Sequence, residues 1–245
     1  MKFEPLDPAI VLGAYSVGVF PMADGRDAPG VYWVEPRRRA VIPLDRFHLS
    51  RSLRKTLLAD RLRVTVDRAF PAIIQLCAEM ASDRPETWIN QSIEQAFLKL
   101  HESGHAHSIE CWDEDRLVGG LYGLALGRAF FGESMVSRVT DASKIALAAL
   151  VARLRAGGFT LLDCQFMTEH LASLGAVEID RSDYMVLLGD ALAGLVSATG
   201  ASSVPSLESS GDAAAADFFA VEAAMTSVSA PFAGKDIVQL LVQTS

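Results

Sequence analysis

The feature that most limits what this chain can become lies between residues 107 and 135, where three short apolar runs, 107–112, 117–126 and 129–135, are separated by polar turns. The separators are Asp113-Glu114-Asp115-Arg116 and Gly127-Arg128, so the runs read as three consecutive antiparallel strands in a meander. The period then changes. Ile145, Leu147, Leu150, Val151 and Leu154 recur at helical spacing, with Asp141 or Ser143 placed to cap that helix and Gly157-Gly158 to stop it. Residues 160–166 read as a buried strand and 170–174 as a short helix. Strands, helix, strand and helix in that order define an α+β domain around a mixed central sheet.

Upstream, Asp7-Pro8 is an N-cap followed by a first-turn proline and opens a short helix that stops near Gly18. Residues 47–58 form a second helix capped by Ser50, with Leu53, Leu57 and Leu58 inward and Arg51, Arg54 and Lys55 outward. Trp88, Ile89, Ile93, Phe97 and Leu100 mark an amphipathic helix ending at Ser103-Gly104. Three parts are expected: a small N-terminal α/β domain over 1–65, the α+β domain over 66–195, and an Ala/Ser-rich tail over 196–245. The apolar end of that tail, 237–242, is suited to dock back as an edge strand or a helix.

Half of the 245 residues are hydrophobic, which is enough for a sizeable core. No apolar stretch reaches the roughly 18 to 20 residues that span a bilayer, and the first residues lack a basic region followed by an apolar core. The chain therefore reads as soluble and cytoplasmic. Cys77, Cys111 and Cys164 are widely spaced and outside any CxxC pattern, which suggests free thiols rather than a disulfide framework or a zinc knuckle. His105 and His107 lack a nearby third ligand, so no metal is expected. Gly119, Gly120, Gly123 and Gly127 match neither GxGxxG nor a phosphate loop and read as close backbone approaches or a bulge. The formal charge of −8 argues against a nucleic-acid partner, yet residues 35–68 hold ten basic side chains against four acidic ones. Such a local positive field draws polyanions even to an acidic molecule, although a merely solvated arginine face has the same composition.

The most specific blocks are Phe131-Gly132-Glu133-Ser134-Met135, Ser137-Arg138, Asp141-Ala142-Ser143-Lys144 and Asp163-Cys164-Gln165, followed by His170 and Ala172-Ser173-Leu174-Gly175-Ala176. Upstream of them stand Gly18-Val19-Phe20-Pro21-Met22, Tyr32-Trp33, Arg39-Ala40-Val41-Ile42-Pro43, His48-Leu49-Ser50-Arg51-Ser52, Thr87-Trp88-Ile89 and Gly104-His105-Ala106-His107-Ser108. In this order, over residues 10 to about 190, the blocks resemble the leucyl/phenylalanyl-tRNA–protein transferases. The resemblance implies a GNAT-like acyltransferase domain and a bacterial enzyme that moves Leu or Phe from aminoacyl-tRNA to proteins with N-terminal Lys or Arg, marking them for degradation. It implies no cofactor, and a monomer is expected. The family often has a second Trp where Val34 stands, a Pro-rich run where Glu35-Pro36-Arg37-Arg38-Arg39 stands, and Asn where Thr168 stands.

Such a reaction needs positioning, a proton acceptor and oxyanion stabilisation, with no covalent intermediate. Asp163 and Gln165 stand two apart on the expected strand, hence on one face, where the carboxylate can orient the amide. By residue type alone they are a strand-end carboxylate and a surface amide; the resemblance implies a reacting centre. Alternation places Glu133 with Phe131 and Met135, a setting that requires a cationic partner, either a substrate ammonium or N-terminal Arg or Lys side chain or, as an internal pair, Arg138 or another basic residue. Phe130, Met135, Leu147 and Leu150 are candidates for the aminoacyl pocket, or equally ordinary core. Such a pocket discriminates weakly between similar side chains, so Met is expected as a third aminoacyl group. Trp33 and Trp88 are candidates to stack on the terminal adenosine, with a core aromatic as the alternative, and Arg51, Arg54 and Lys55 are candidates to meet phosphates. Cys164 as a nucleophile with His170 as its base is disfavoured, because a residue between Asp163 and Gln165 points to the opposite face of the strand.

Two other classes compete. An acyl-CoA N-acyltransferase needs a glycine-rich pyrophosphate loop, which Ser137-Arg138-Val139-Thr140-Asp141 does not offer. A non-catalytic tRNA-binding module accounts for the basic segment alone.

Overall fold

The computed structural model describes residues 3–79, 87–196, 216–221 and 232–242. Helix α1 (Pro8–Ser16) starts as its Asp-Pro pair dictates: the Asp7 carboxylate accepts from the Ala9 N–H, and Pro8 sits in the first turn, where no N–H is needed. A hairpin of β1 (Phe20–Met22) and β2 (Tyr32–Val34) follows, then β3 (Arg38–Val41). Ser50 caps α2 (Arg51–Leu58) by accepting from the Leu53 N–H, with Leu53 and Leu57 buried and Arg51, Arg54 and Lys55 exposed. Next come β4 (Arg63–Val66), α3 (Phe70–Ala78) and α4 (Gln91–Glu102). The expected meander is β5 (Ala106–Asp113), β6 (Arg116–Leu126) and β7 (Ala129–Ser137). It is followed by α5 (Ala142–Ala156), β8 (Leu161–Asp163), α6 (Glu169–Ser173), β9 (Val177–Asp180), α7 (Arg181–Val196) and α8 (Gly234–Val242).

Seven strands share one mixed sheet in the order β4-β5-β6-β7-β8-β3-β9, in which β7 and β8 pair in parallel and the other neighbours are antiparallel. Strand β3 lies between β8 and β9, and β4 forms one edge. The expected boundary at residue 65 therefore runs through the sheet, since residues 38–41 and 63–66 are strands of it. At four residues each, these strands are too short for alternation to reveal which sheet they join. Helices α2, α5 and α8 cover one face around Leu53, Leu147, Leu150 and Ile237, while α1, α3, α4 and α7 cover the other around Tyr15, Ile73, Phe97 and Tyr184. Among the described residues no helix is long and apolar enough to cross a membrane.

The start of α5 departs from expectation. Asp141 holds the cap position in a left-handed conformation (φ 66°) without a side-chain cap, its carboxylate instead pairing with Lys144 at 3.1 Å. The Ser143 N–H is met by the Ser137 hydroxyl at 3.3 Å. Close approach explains one glycine here: a Cβ on Gly119 would stand 2.7 Å from both the Ala142 Cβ and the Val136 carbonyl oxygen.

The described parts of the C-terminal stretch dock onto α5 and α2. Arg153 donates to the Phe218 carbonyl at 2.7 Å and Arg155 to the Leu241 carbonyl at 2.9 Å, while the Gly234 N–H meets the Asp60 carboxylate at 2.9 Å. The apolar end takes the helical alternative, as α8; residues 197–215 and 222–231 of the expected tail lie outside the described residues. Contact at Gly234 is so close that a Cβ there would sit 1.9 Å from the Leu57 carbonyl oxygen. Gly234→Ala is accordingly expected to lower stability by about 1 to 3 kcal/mol, the usual range for forced overpacking, read as a drop in the urea midpoint at unchanged slope. An unchanged midpoint would show that α8 is not held against α2.

Candidate active site

Strands β7 and β8 pair only from Ala129↔Leu161 to Phe131↔Asp163. Just beyond, β7 is bulged: Gly132 faces Gly123 and Ser134 faces Tyr122, so Glu133 is the extra residue. Where the parallel pairing stops a cavity of about 320 Å³ opens. Leu121, Met135, Leu147, Leu150, Leu162 and Leu171 give it an apolar wall, Phe20, Trp88, Tyr122 and Phe166 are among its aromatic residues, and Glu133 and Gln165 are among its polar ones.

The bulge overturns the simple alternation for Glu133. Phe131 packs with Tyr15 on the α1 side of the sheet, whereas Met135 packs on the α5 side. Glu133 falls between them at the cavity wall, and burial pushes its carboxyl up to about 8; the Asp163 charge adds to this, while Tyr15, Arg39 and Gln165 oppose it. The Tyr15 hydroxyl lies beside this carboxylate without hydrogen-bond geometry to any described atom, and its own pKa is raised by burial and then by Glu133. Arg138, the alternative internal partner, pairs with Glu79 instead.

Asp163 ends β8 fully buried and does not line the cavity. Its carboxylate is gripped by Arg39, whose Nε lies 3.0 Å from each oxygen and whose Nη2 lies 2.7 Å from Oδ2. Tyr184 donates to the same Oδ2 at 2.9 Å, and Arg39 Nη1 donates to the Gly18 carbonyl at 3.0 Å. The Asp163–Gln165 relation differs from the expected one: strand geometry ends at Asp163, and Oδ1 accepts from the Gln165 backbone N–H at 2.8 Å rather than from its side chain. Gln165 is left-handed (φ 55°), which lets its side chain enter the cavity, where Nε2 donates to Glu133 Oε1 at 3.2 Å.

Of the candidates for the aminoacyl pocket, Met135, Leu147 and Leu150 line the cavity and Phe130 does not; Trp88, a candidate for stacking, lines it too. The Phe130 side chain points into the core on the α5 side and packs on Phe159 and Phe218. Trp33 is partly exposed on β2 opposite Pro21, whereas the cavity is met by Phe20 and Met22 of the paired strand, which alternate with Pro21; Trp33 is not part of the wall. Cys164 does line the cavity, contrary to expectation, because the chain leaves strand geometry there; burial first, then the Asp163 charge, pushes its thiol well up, which suits an inert side chain. His170 also lines it, lowered by burial and by Lys144. His105 and His107 take separate partners, Ser103 and Asp67. Arg51, Arg54 and Lys55 make no ion pair with a described residue.

Sequence reasoning passed over Arg39, Tyr15, Tyr184 and Phe166. Arg39 had a signal: an arginine opening the apolar run Ala40-Val41-Ile42 is buried only with an acid beside it. Thr168, where the family often has Asn, caps α6 by accepting from the Leu171 N–H at 3.2 Å while lining the cavity.

Two family models match the chain: leucyl/phenylalanyl-tRNA protein transferase over residues 41–189, and the N-terminal domain of the same family over residues 4–37. The second match ends just before β3. A leucyl/phenylalanyl-tRNA–protein transferase of Rhizorhabdus wittichii is 58% identical over 99% of this chain and 100% of its own length. Another, of Zymomonas mobilis, is 60% identical over 76% of this chain and 70% of its own. Among solved structures the crystal structure of FemX is similar at a TM-score of 0.47 and 11% identity, covering 60% of each chain. Two family models spanning most of the sequence and a near full-length relative at 58% identity establish that the chain belongs to the leucyl/phenylalanyl-tRNA–protein transferase family.

Proposed function

We propose that this protein transfers Leu, Phe or Met from aminoacyl-tRNA to the N-terminal Lys or Arg of acceptor proteins, marking them for degradation, and that its catalytic unit is GNAT-like. The observation that carries the reading is the apolar cavity ending at the Gln165 amide and the Glu133 carboxyl. The apolar side chain of Leu, Phe or Met fits such a wall, and the ester it carries would then lie at the polar end. With Nε2 committed to Glu133, the Gln165 Oε1 is left to accept from an incoming amine.

Proton traffic follows from the raised carboxyl. A protein α-ammonium has a pKa of about 7.7 to 8.0, close to the value of about 8 for Glu133, so the proton passes between them at little cost. The free amine attacks the ester carbonyl, a C–N bond forms, and the C–O bond to the ribose breaks. The proton lost by the attacking nitrogen ends on the ribose oxygen. The ester is already activated, so the chemistry requires neither a metal nor a cofactor. Exposed Arg51, Arg54 and Lys55 on α2 suit the phosphates of the tRNA, and Trp88, which lines the cavity, suits its terminal base. A non-catalytic tRNA-binding module would share the basic helix but has no use for Glu133 and Gln165 in the cavity.

The direct test incubates the protein with labelled Leu-, Phe- or Met-tRNA and two peptides differing only in N-terminal Arg or Ala. Label is expected on the Arg peptide from all three tRNAs, since an apolar pocket separates such groups by only about 1 to 3 kcal/mol. Binding of tRNA without transfer would instead establish the module.

Glu133→Gln should reduce transfer by about 10²-fold or more. The same change should stabilise the fold at alkaline pH. A carboxyl held near 8 when folded and 4.5 when free binds an extra proton in the folded state between those values, so wild-type stability falls as pH rises through that window. The variant lacks that slope and should exceed wild type by on the order of 1 kcal/mol at pH 8.5, after solvent screening at the cavity wall, and by nothing near pH 4.5. Parallel stability curves for the two proteins would remove Glu133 from the proton path.

A further inference from the structure

We propose that Arg39 and Tyr184 are positioning residues for transfer, forming a buried clamp that sets the Gln165 amide by way of Asp163; the proposal rests on the function given above. Neither residue lines the cavity, nor does Asp163, so none of the three touches substrate there. Besides the charges of Asp163 and Arg39 that act on Glu133, the clamp reaches the cavity's polar end through a hydrogen bond, from the Gln165 N–H to Asp163 Oδ1 at 2.8 Å.

That bond, with the Ala40 N–H that donates to the Gln165 carbonyl at 3.1 Å, holds Gln165 in a backbone conformation that residues other than glycine seldom adopt, with φ at 55°. Released from it, the residue would relax toward the extended region and swing its amide away from Glu133. The hydrogen bond is only as fixed as the carboxylate that accepts it, and every contact on Asp163 serves to fix it. Arg39 presents Nε and Nη2 to the two oxygens, a fork that permits one in-plane orientation of the carboxylate. Tyr184 Oη donates to Oδ2 at 2.9 Å, which leaves Oδ1 for Gln165.

Arg39 is itself held on several sides. Its Nη1 donates to the Gly18 carbonyl at 3.0 Å, and its guanidinium carbon lies 4.8 Å from the Phe20 ring centre and 4.5 Å from that of Tyr184. The clamp thus joins the turn after α1, strand β3, strand β8 and helix α7 at one carboxylate. Its use of Arg rather than Lys follows, since an ammonium cannot span both carboxylate oxygens and the Gly18 carbonyl at once.

The test compares wild type, Tyr184→Phe and Arg39→Lys in the transfer assay, together with the NMR position of the Gln165 backbone amide. Tyr184→Phe removes one hydroxyl and keeps the ring against Arg39; it should lower kcat about 3- to 10-fold with KM for aminoacyl-tRNA and for peptide within about twofold. Arg39→Lys should lower kcat by about 30-fold or more in the same pattern. In both variants the Gln165 amide proton should move from its carboxylate-bonded position. If Arg39→Lys does not fold, Tyr184→Phe alone decides. Variants with wild-type kcat and an unmoved Gln165 amide, or a loss confined to KM, would overturn the clamp. A wild-type protein that transfers nothing would instead overturn the proposed reaction, with the amide resonance still reporting on the clamp.

Discussion

The buried pair of Arg39 and Asp163 is the interaction on which the remaining architecture turns. Two charges with side chains 2% and 0% exposed carry a large desolvation cost, offset only when every donor and acceptor is met. Here the fork, the Tyr184 hydroxyl, the Gly18 carbonyl and the Gln165 N–H do so. What such a pair adds is specificity more than net stability. Strand β3 is four residues long, and its pairing with β8 is registered by Val41↔Asp163. A slip of one residue would turn Arg39 to the opposite face and leave two buried charges unmatched, a far larger penalty than the loss of one strand hydrogen bond.

The cavity follows from that register together with the parallel pairing of β7 and β8. Beyond Phe131↔Asp163 the bulge at Glu133 turns β7 while Gln165 turns the chain out of β8. Two irregularities facing each other open a space that regular strands would close. Both expose groups that a core avoids, a carboxyl raised to about 8 and a left-handed glutamine. These are local departures from what stabilises a fold, and they lie at the polar end of the cavity where the proposed transfer needs them.

Elements with their own punctuation were legible in the sequence. The meander had its turns, α1 its Asp-Pro start, α2 its Ser50 cap and α5 its glycine stop. Strands β3, β4 and β9 were not, because a four-residue strand is specified by its neighbours in space. The same division runs through the site. Leu147 and Leu150 could be placed on one helical face and do meet at the cavity. Phe130 was misplaced because an apolar strand residue gives no sign of which layer receives it, and the Asp163–Gln165 spacing misled because it presumed that the strand continued. Arg39 joins Asp163 across 124 residues of sequence, a separation that no local pattern encodes.

Charge shows most plainly why an average conceals function. The basic stretch at 35–68 is not one surface: Arg39 is buried with Asp163, Arg38 pairs with Glu178 at 2.8 Å, and Arg63 lies over the Trp112 ring. What remains for a polyanion is the outward side of α2 together with exposed Arg37, Arg61 and Arg68, a small positive field on a molecule of charge −8. For the reaction proposed, that segregation is an advantage. One substrate is a polyanion and the other presents a cationic N-terminus, so a uniformly basic protein would attract the first while repelling the second. An acidic body with a basic ridge draws each to a different surface, and the two attractions then differ in range, because screening over a Debye length of about 8 Å erases the weak general field before it erases contacts made at the ridge.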